Sequence, residues 1–177
     1  MRRTALTTLL LLAVATAAAL LAAARPSAAL NASAARLEPV IDARSWIGTP
    51  VTAAGLAGNV VVLDVFTVDC GNCQNVVPTL RALDAHDRAR GLRIVGIHAP
   101  ETPVERDRAY VEQSLQRQGI SWPVAIDNSF ALWKAYGVTA WPTQLFFDRH
   151  GHLRTTIIGD SQDADVRSAV EALLAER

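Results

Sequence analysis

Cysteine is scarce in this 177-residue chain: there are two, both in Cys70-Gly71-Asn72-Cys73. A scaffold built on disulfides needs more, and so does a closed zinc site, which takes four ligands. Methionine is rarer still, Met1 alone, so there is no methionine-rich stretch for handling copper. Basic residues form no run or patch, which argues against nucleic acid as a partner. The sequence has no internal repeat and no low-complexity tract beyond its N-terminus.

That N-terminus carries the chain's long apolar run. Met1-Arg2-Arg3 is a basic start, Leu6 to Ala24 is rich in Leu and Ala, and small residues follow at Pro26-Ser27-Ala28-Ala29. Residues 1–29 therefore read as an export signal peptide with a cleavage site. The run is also long enough to approach a membrane span, so a retained N-terminal anchor is the alternative. No cysteine lies near the cleavage site, which argues against a lipoprotein, and Arg2-Arg3 alone is too little for twin-arginine export. Cleavage would take Arg2, Arg3 and Arg25 and no acid, leaving a net charge of −3. The expected location is exported, periplasmic or otherwise extracytoplasmic.

The setting of the two cysteines points to chemistry. Val60-Val61-Val62-Leu63-Asp64-Val65-Phe66 is apolar and β-branched, as a buried strand should be. Beyond the pair, Val77, Leu80 and Leu83 recur at helical spacing. The pair thus sits at a helix start, where unpaired N–H groups and the helix dipole favour a thiolate. Export would also permit a structural bridge, but loop entropy gives so short a loop only about 2 kcal/mol. A domain of this size does not need such a staple.

Residues 30–45 read as a linker and 46–177 as the folded domain, beginning with Trp46 as an aromatic anchor. A strand over Val60–Phe66 leads to a helix from Gly71 to about Arg90, with Pro78 as a kink. Leu92–His98 is the next strand. Thr102-Pro103-Val104-Glu105 reads as a capping box opening a helix to about Gln118. A short strand, Val124–Ile126, precedes a helix capped by Asn128 or Ser129 and ending at Tyr136. Gln144–Phe147 and Leu153–Ile158 flank the turn Asp148-Arg149-His150-Gly151, and Asp163–Ala175 is a last amphipathic helix. The order β-α-β-α-β-α-β-β-α predicts an α/β fold with a mixed central β-sheet, helices on both faces, and a C-terminal hairpin and helix.

This pattern resembles the thioredoxin fold, and within it the exported TlpA/ResA-type thiol–disulfide proteins and DipZ-like domains, over roughly Trp46 to Leu174. Asp64 lies six residues before the first cysteine, where thioredoxins keep a buried acid. Pro78 lies five after the second, where they kink the active-site helix. Ile94 to Glu101 is similar to the strand and loop in which ResA-type proteins place an acid near the cysteines. Trp141-Pro142-Thr143 matches the cis-proline loop. Trp46-Ile47-Gly48-Thr49-Pro50 and Gly96-Ile97-His98-Ala99-Pro100-Glu101 follow the DipZ-like pattern closely. The departure is Asp69, which stands directly before Cys70 where the family usually has an aromatic residue. Gly71-Asn72 between the cysteines also matches neither the thioredoxin nor the DsbA dipeptide.

The resemblance implies a thiol–disulfide oxidoreductase, with Cys70 as the exposed nucleophile and Cys73 as the resolving thiol. No cofactor beyond a redox-active Cys70–Cys73 disulfide is expected. Asp64, a lone carboxyl in an apolar strand, would have its pKa raised by burial and exchange a proton near Cys73; otherwise it reaches solvent at a strand edge. Glu101 either relays protons to the cysteines or merely favours the next helix N-terminus. Pro142 is expected cis, with Trp141, Pro142 and Thr143 binding an extended client segment, although Trp141 reads equally well as core. Trp122, Trp133 and Phe130 read as core, His98 as a strand-end histidine, and His150 and His152 as turn residues. A carboxylate at Asp69 disfavours a neighbouring thiolate and pushes the couple towards the reducing side, against the pull of the helix dipole.

The expected partners are protein thiol or disulfide clients, apocytochromes among them, and a membrane electron donor of the CcdA/DsbD kind. A monomer is expected. Two other readings stay open. A peroxiredoxin-like peroxidase would use Thr67-Val68-Asp69-Cys70 but lacks an assignable arginine. A Cu(I)-binding module would use Cys70, Cys73 and His98, although copper proteins of this fold space their cysteines more widely.

Overall fold

Alternation along Val60–Phe66 divides the interior in two. In the computed structural model, which describes residues 36–176, Val60, Val62 and Phe66 face one apolar cluster, while Val61, Leu63 and Val65 face another. A strand whose every residue is buried must lie centrally, with both faces covered.

The described elements in chain order are α1 (Glu38–Ile41), β1 (Trp46–Ile47), α2 (Ala53–Leu56), β2 (Val60–Phe66), α3 (Gly71–Asp87), β3 (Leu92–His98), α4 (Arg108–Gln118), β4 (Val124–Ile126), α5 (Ala131–Ala135), β5 (Thr143–Phe147), β6 (Leu153–Ile158) and α6 (Asp163–Ala175). The strands form one mixed sheet in the order β1-β4-β3-β2-β5-β6. β2, β3 and β4 run parallel, whereas β1, β5 and β6 pair antiparallel with their neighbours. Side chains of α3, α4 and α6 fill the first cluster; those of α1, α2 and α5 fill the second. The expected mixed sheet with helices on both faces is the observed architecture.

Several local expectations need correction. Within the stretch read as a linker, residues 30–45, Leu37 and Val40 are buried and the Tyr136 hydroxyl accepts from Val40 N at 3.1 Å. Trp46–Ile47 is an edge strand on β4, and α2 was not anticipated. Thr102 does not open the long helix. Val104–Arg106 is a single 3-10 turn, Asp107 is extended, and its carboxylate caps α4 by accepting from Tyr110 N at 2.9 Å. Before α5, neither Asn128 nor Ser129 is the cap; Asp127 accepts from Trp133 N at 2.8 Å, and Phe130 takes a left-handed φ of 59°. The signal or anchor over residues 1–29 lies outside the described residues. No helix of the described residues is long and apolar enough to cross a membrane.

Candidate active site

β2 ends at Phe66, and four residues later Cys70 caps α3. The N-cap position explains the local geometry: the backbone N–H groups of a first helical turn have no partner within the helix. Here Cys73 N donates to Cys70 Sγ at 3.3 Å. Cys70 is half-buried and Cys73 buried, and both are free thiols. Burial pushes the Cys73 thiol well above its ordinary range; its hydrogen bond to Cys70 and the Asp64 carboxyl push the same way, against a backbone hydrogen bond from Thr67. The outer sulfur is presented and the inner one is kept protonated.

Asp64 points to the same face of β2 as Val62 and Phe66, the face that α3 covers. It is buried, and burial raises its pKa from 3.8 to about 6, against the Gln144 Nε2 hydrogen bond at 3.0 Å. The strand-edge alternative is thereby excluded, since β2 is central.

Glu101 is exposed. The buried acid of that loop is Glu105, four residues on, the last residue of the Thr102-Pro103-Val104-Glu105 capping pattern. Its carboxylate accepts from Glu101 N at 2.8 Å, Thr102 N at 2.7 Å, Asp69 N at 3.1 Å and the Thr67 hydroxyl. Burial pushes the Glu105 carboxyl up, but these hydrogen bonds outweigh it and hold it below the usual carboxylate range. His98 is fully buried with Nε2 3.3 Å from Thr67 Oγ1, and burial pulls its pKa down to about 4. The ring therefore engages Thr67, and the Thr67 hydroxyl donates to Glu105. Asp69 is exposed, and the Tyr110 hydroxyl donates to both its carboxylate oxygens at 2.9 Å. Tyr110 has no part in the sequence expectations, Thr67 enters them only through the peroxidase alternative, and Glu105 only as part of a capping box. The one available signal was a Glu at the end of a loop already suspected of holding an acid.

The Trp141–Pro142 peptide is cis. The register pairs Thr143 with Val65, which places Pro142 beside the end of β2, next to the turn that carries Cys70. Trp141 is half-buried, donates from Nε1 to Ala99 O at 3.1 Å, and packs its ring 4.5 Å from Trp133. Phe130 and Trp133, expected in the core, are half-buried members of this aromatic group, while Trp122 is buried as expected. His150 and His152 do occupy the hairpin turn, where their amides donate to Asp148. Among the described residues, no three His, Cys, Asp or Glu side chains gather as metal ligands would.

A family model described as Redoxin matches residues 39–173. The chain belongs to the Redoxin family. Among curated relatives, this Redoxin chain is 30% identical over 133 residues to protein DipZ of Mycobacterium tuberculosis, covering 73% of this chain but 19% of that protein. It spans about a fifth of the length of that relative. It is 24% identical over 129 residues to the thiol-disulfide oxidoreductase ResA of Halalkalibacterium halodurans, covering 73% of this chain and 70% of that one. Among solved structures, a thiol-disulfide isomerase from Corynebacterium glutamicum superposes with a TM-score of 0.70 at 23% identity, over 77% of this chain and 95% of that one. Family match and superposition together give this Redoxin chain a thioredoxin-like fold.

Proposed function

We propose that this protein is an exported reductant of protein disulfides, working through a Cys70/Cys73 couple. The observation that carries the reading is the asymmetry of the two thiols at the head of α3: one half-buried and accepting a helix amide, the other buried and held protonated. Cys70 thiolate attacks a client disulfide, and one client sulfur leaves and takes a proton. Cys73 then attacks the Cys70 sulfur of the mixed disulfide, giving a Cys70–Cys73 disulfide and the second client thiol. Two protein thiols are oxidised and one client disulfide is reduced.

The second step needs a base, because Cys73 holds its proton tightly. Asp64, ionised above about pH 6, is the acceptor on the same face of β2. The loop of Trp141 and Pro142 beside Cys70 faces the client through the half-buried Trp141 and through backbone, Thr143 being buried with its hydroxyl donating to Ala140 O, and Asp69 adds a negative charge next to the nucleophile. That charge, against the helix dipole, makes the couple more reducing. Export rests on the basic, apolar and small-residue succession of residues 1–29. An exported reductant needs electrons delivered through the membrane, so a donor of the CcdA/DsbD kind and clients such as apocytochromes complete the proposal.

Cys70→Ser is expected to abolish reduction of insulin disulfides, and Cys73→Ser to accumulate a mixed disulfide visible on non-reducing gels. Full turnover in Cys73→Ser without a trapped species would reverse the roles. Equilibration with glutathione or dithiothreitol buffers tests the direction: a potential near about −270 mV supports a reductant, one near about −120 mV an oxidant.

A further inference from the structure

A carboxylate buried away from cations is costly to keep, and Glu105 is such a group. Its residue is 0% exposed, and its partners are amides and hydroxyls. The two oxygens divide these partners by loop. Oε1 takes the turn after β2, through the Thr67 hydroxyl and Asp69 N; Oε2 takes the loop after β3, through Glu101 N, Thr102 N and the Thr102 hydroxyl. Asp69 N belongs to the peptide group one residue before Cys70, and the Asp69 side chain is itself held by Tyr110 of α4.

The hydrogen-bond directions follow. Thr67 has one hydroxyl proton and spends it on the carboxylate, so its oxygen accepts from His98 Nε2–H. That assignment leaves Nδ1 as the unprotonated nitrogen, and Nδ1 is the ring atom buried without a partner. His98, Thr67 and Glu105 thus form one directed chain from the end of β3 to the nucleophile's turn.

We propose that Glu105 is a positioning residue for Cys70: its buried negative charge clamps the turn after β2 to the loop after β3 and makes the couple more reducing. The proposal rests on the thiol–disulfide reading above. A fixed negative charge behind the nucleophile disfavours the thiolate and so destabilises the reduced form. Glutamine cannot replace it, because its NH2 would face the backbone N–H groups of one of the two loops.

The test uses the purified full chain. Glu105→Gln is expected to reduce insulin at least tenfold more slowly, with far-ultraviolet circular dichroism unchanged. Its potential is expected to rise by at least a tenfold change in the exchange constant, about 30 mV for two electrons. A merely structural residue would lower the melting temperature and leave the potential in place, and that result overturns the proposal. If Glu105→Gln does not fold, Thr67→Val and Thr67→Ser decide. At least fivefold slowing in Thr67→Val, restored in Thr67→Ser, supports the clamp; equal rates in the two variants overturn it. Should the wild type leave insulin intact, the functional reading fails, while the potentials of the couple still decide the role of Glu105.

Discussion

Asp64 shows what burial does to a single side chain. The folded state holds its proton more tightly than the unfolded chain, since the pKa rises from 3.8 to about 6. The corresponding stability is fully present below pH 3.8 and is lost as pH rises through about 6. Above that, the charged carboxylate costs roughly 3 kcal/mol, at 1.36 kcal/mol per unit. Asp64→Asn is therefore expected to stabilise the protein by up to about 3 kcal/mol at pH 8 and by nothing at pH 3.5, measured by urea denaturation at the two values. The same variant should slow the decay of a preformed mixed disulfide at neutral pH. An unchanged pH–rate profile would remove Asp64 from the resolving step. A charged residue that carries such a cost at neutral pH, beside the buried thiol, is the expected mark of a functional group. Its place in an apolar strand was visible in the sequence, but Tyr110 and Thr67 were not, because their partners lie 41 and 38 residues away.

At the scale of elements, the segment between β3 and α4 separates what local pattern can and cannot say. Thr102-Pro103-Val104-Glu105 has the composition of a capping box, and half of one forms, since the Glu105 carboxylate takes Thr102 N. It is also drawn to Thr67 and Asp69 on another loop, and the helical turn stops after three residues. Asp107 then supplies the true cap. Asp107→Ala is accordingly expected to cost about 1 kcal/mol, read from thermal or urea unfolding, with the potential of the cysteine pair unchanged. The long elements were legible because their apolar spacing is their cause: β2, β3, β6 and α6 have the expected bounds. α1, α2 and β1, of four residues or fewer, carry too few positions to show a period. They exist because Leu37, Val40, Trp46 and Leu56 cover the second face of the sheet.

Across the whole molecule, two buried groups titrate against each other. His98, held neutral with a pKa lowered from 6.5 to about 4, lends stability that is lost as pH falls through that window. Asp64 acts in the opposite sense between 3.8 and about 6. Their slopes largely cancel in the wild type between pH 4 and 6, where stability is expected to vary little on their account. In Asp64→Asn that opposing contribution is gone, and stability should fall steadily as pH drops from 6.5 towards 4. A flat profile in that variant, followed by urea midpoints at intervals of half a pH unit, would show that His98 does not titrate as its burial implies.

The closely spaced Asp64, Cys70, Cys73 and Pro78, and the apolar periodicity along the strands and helices, were enough by themselves to specify the strand-to-helix junction and the mixed sheet. These features are short-range in sequence or periodic, so one strand of text holds them. The tertiary structure decided which acid of the loop after β3 turns inward, which hydroxyl secures Asp69, and that Leu37 and Val40 belong to the core. Each of these depends on partners brought together from distant segments. A buried carboxylate is tolerated only where enough N–H and O–H donors converge on it, and that convergence exists only once β2 and β3 lie side by side.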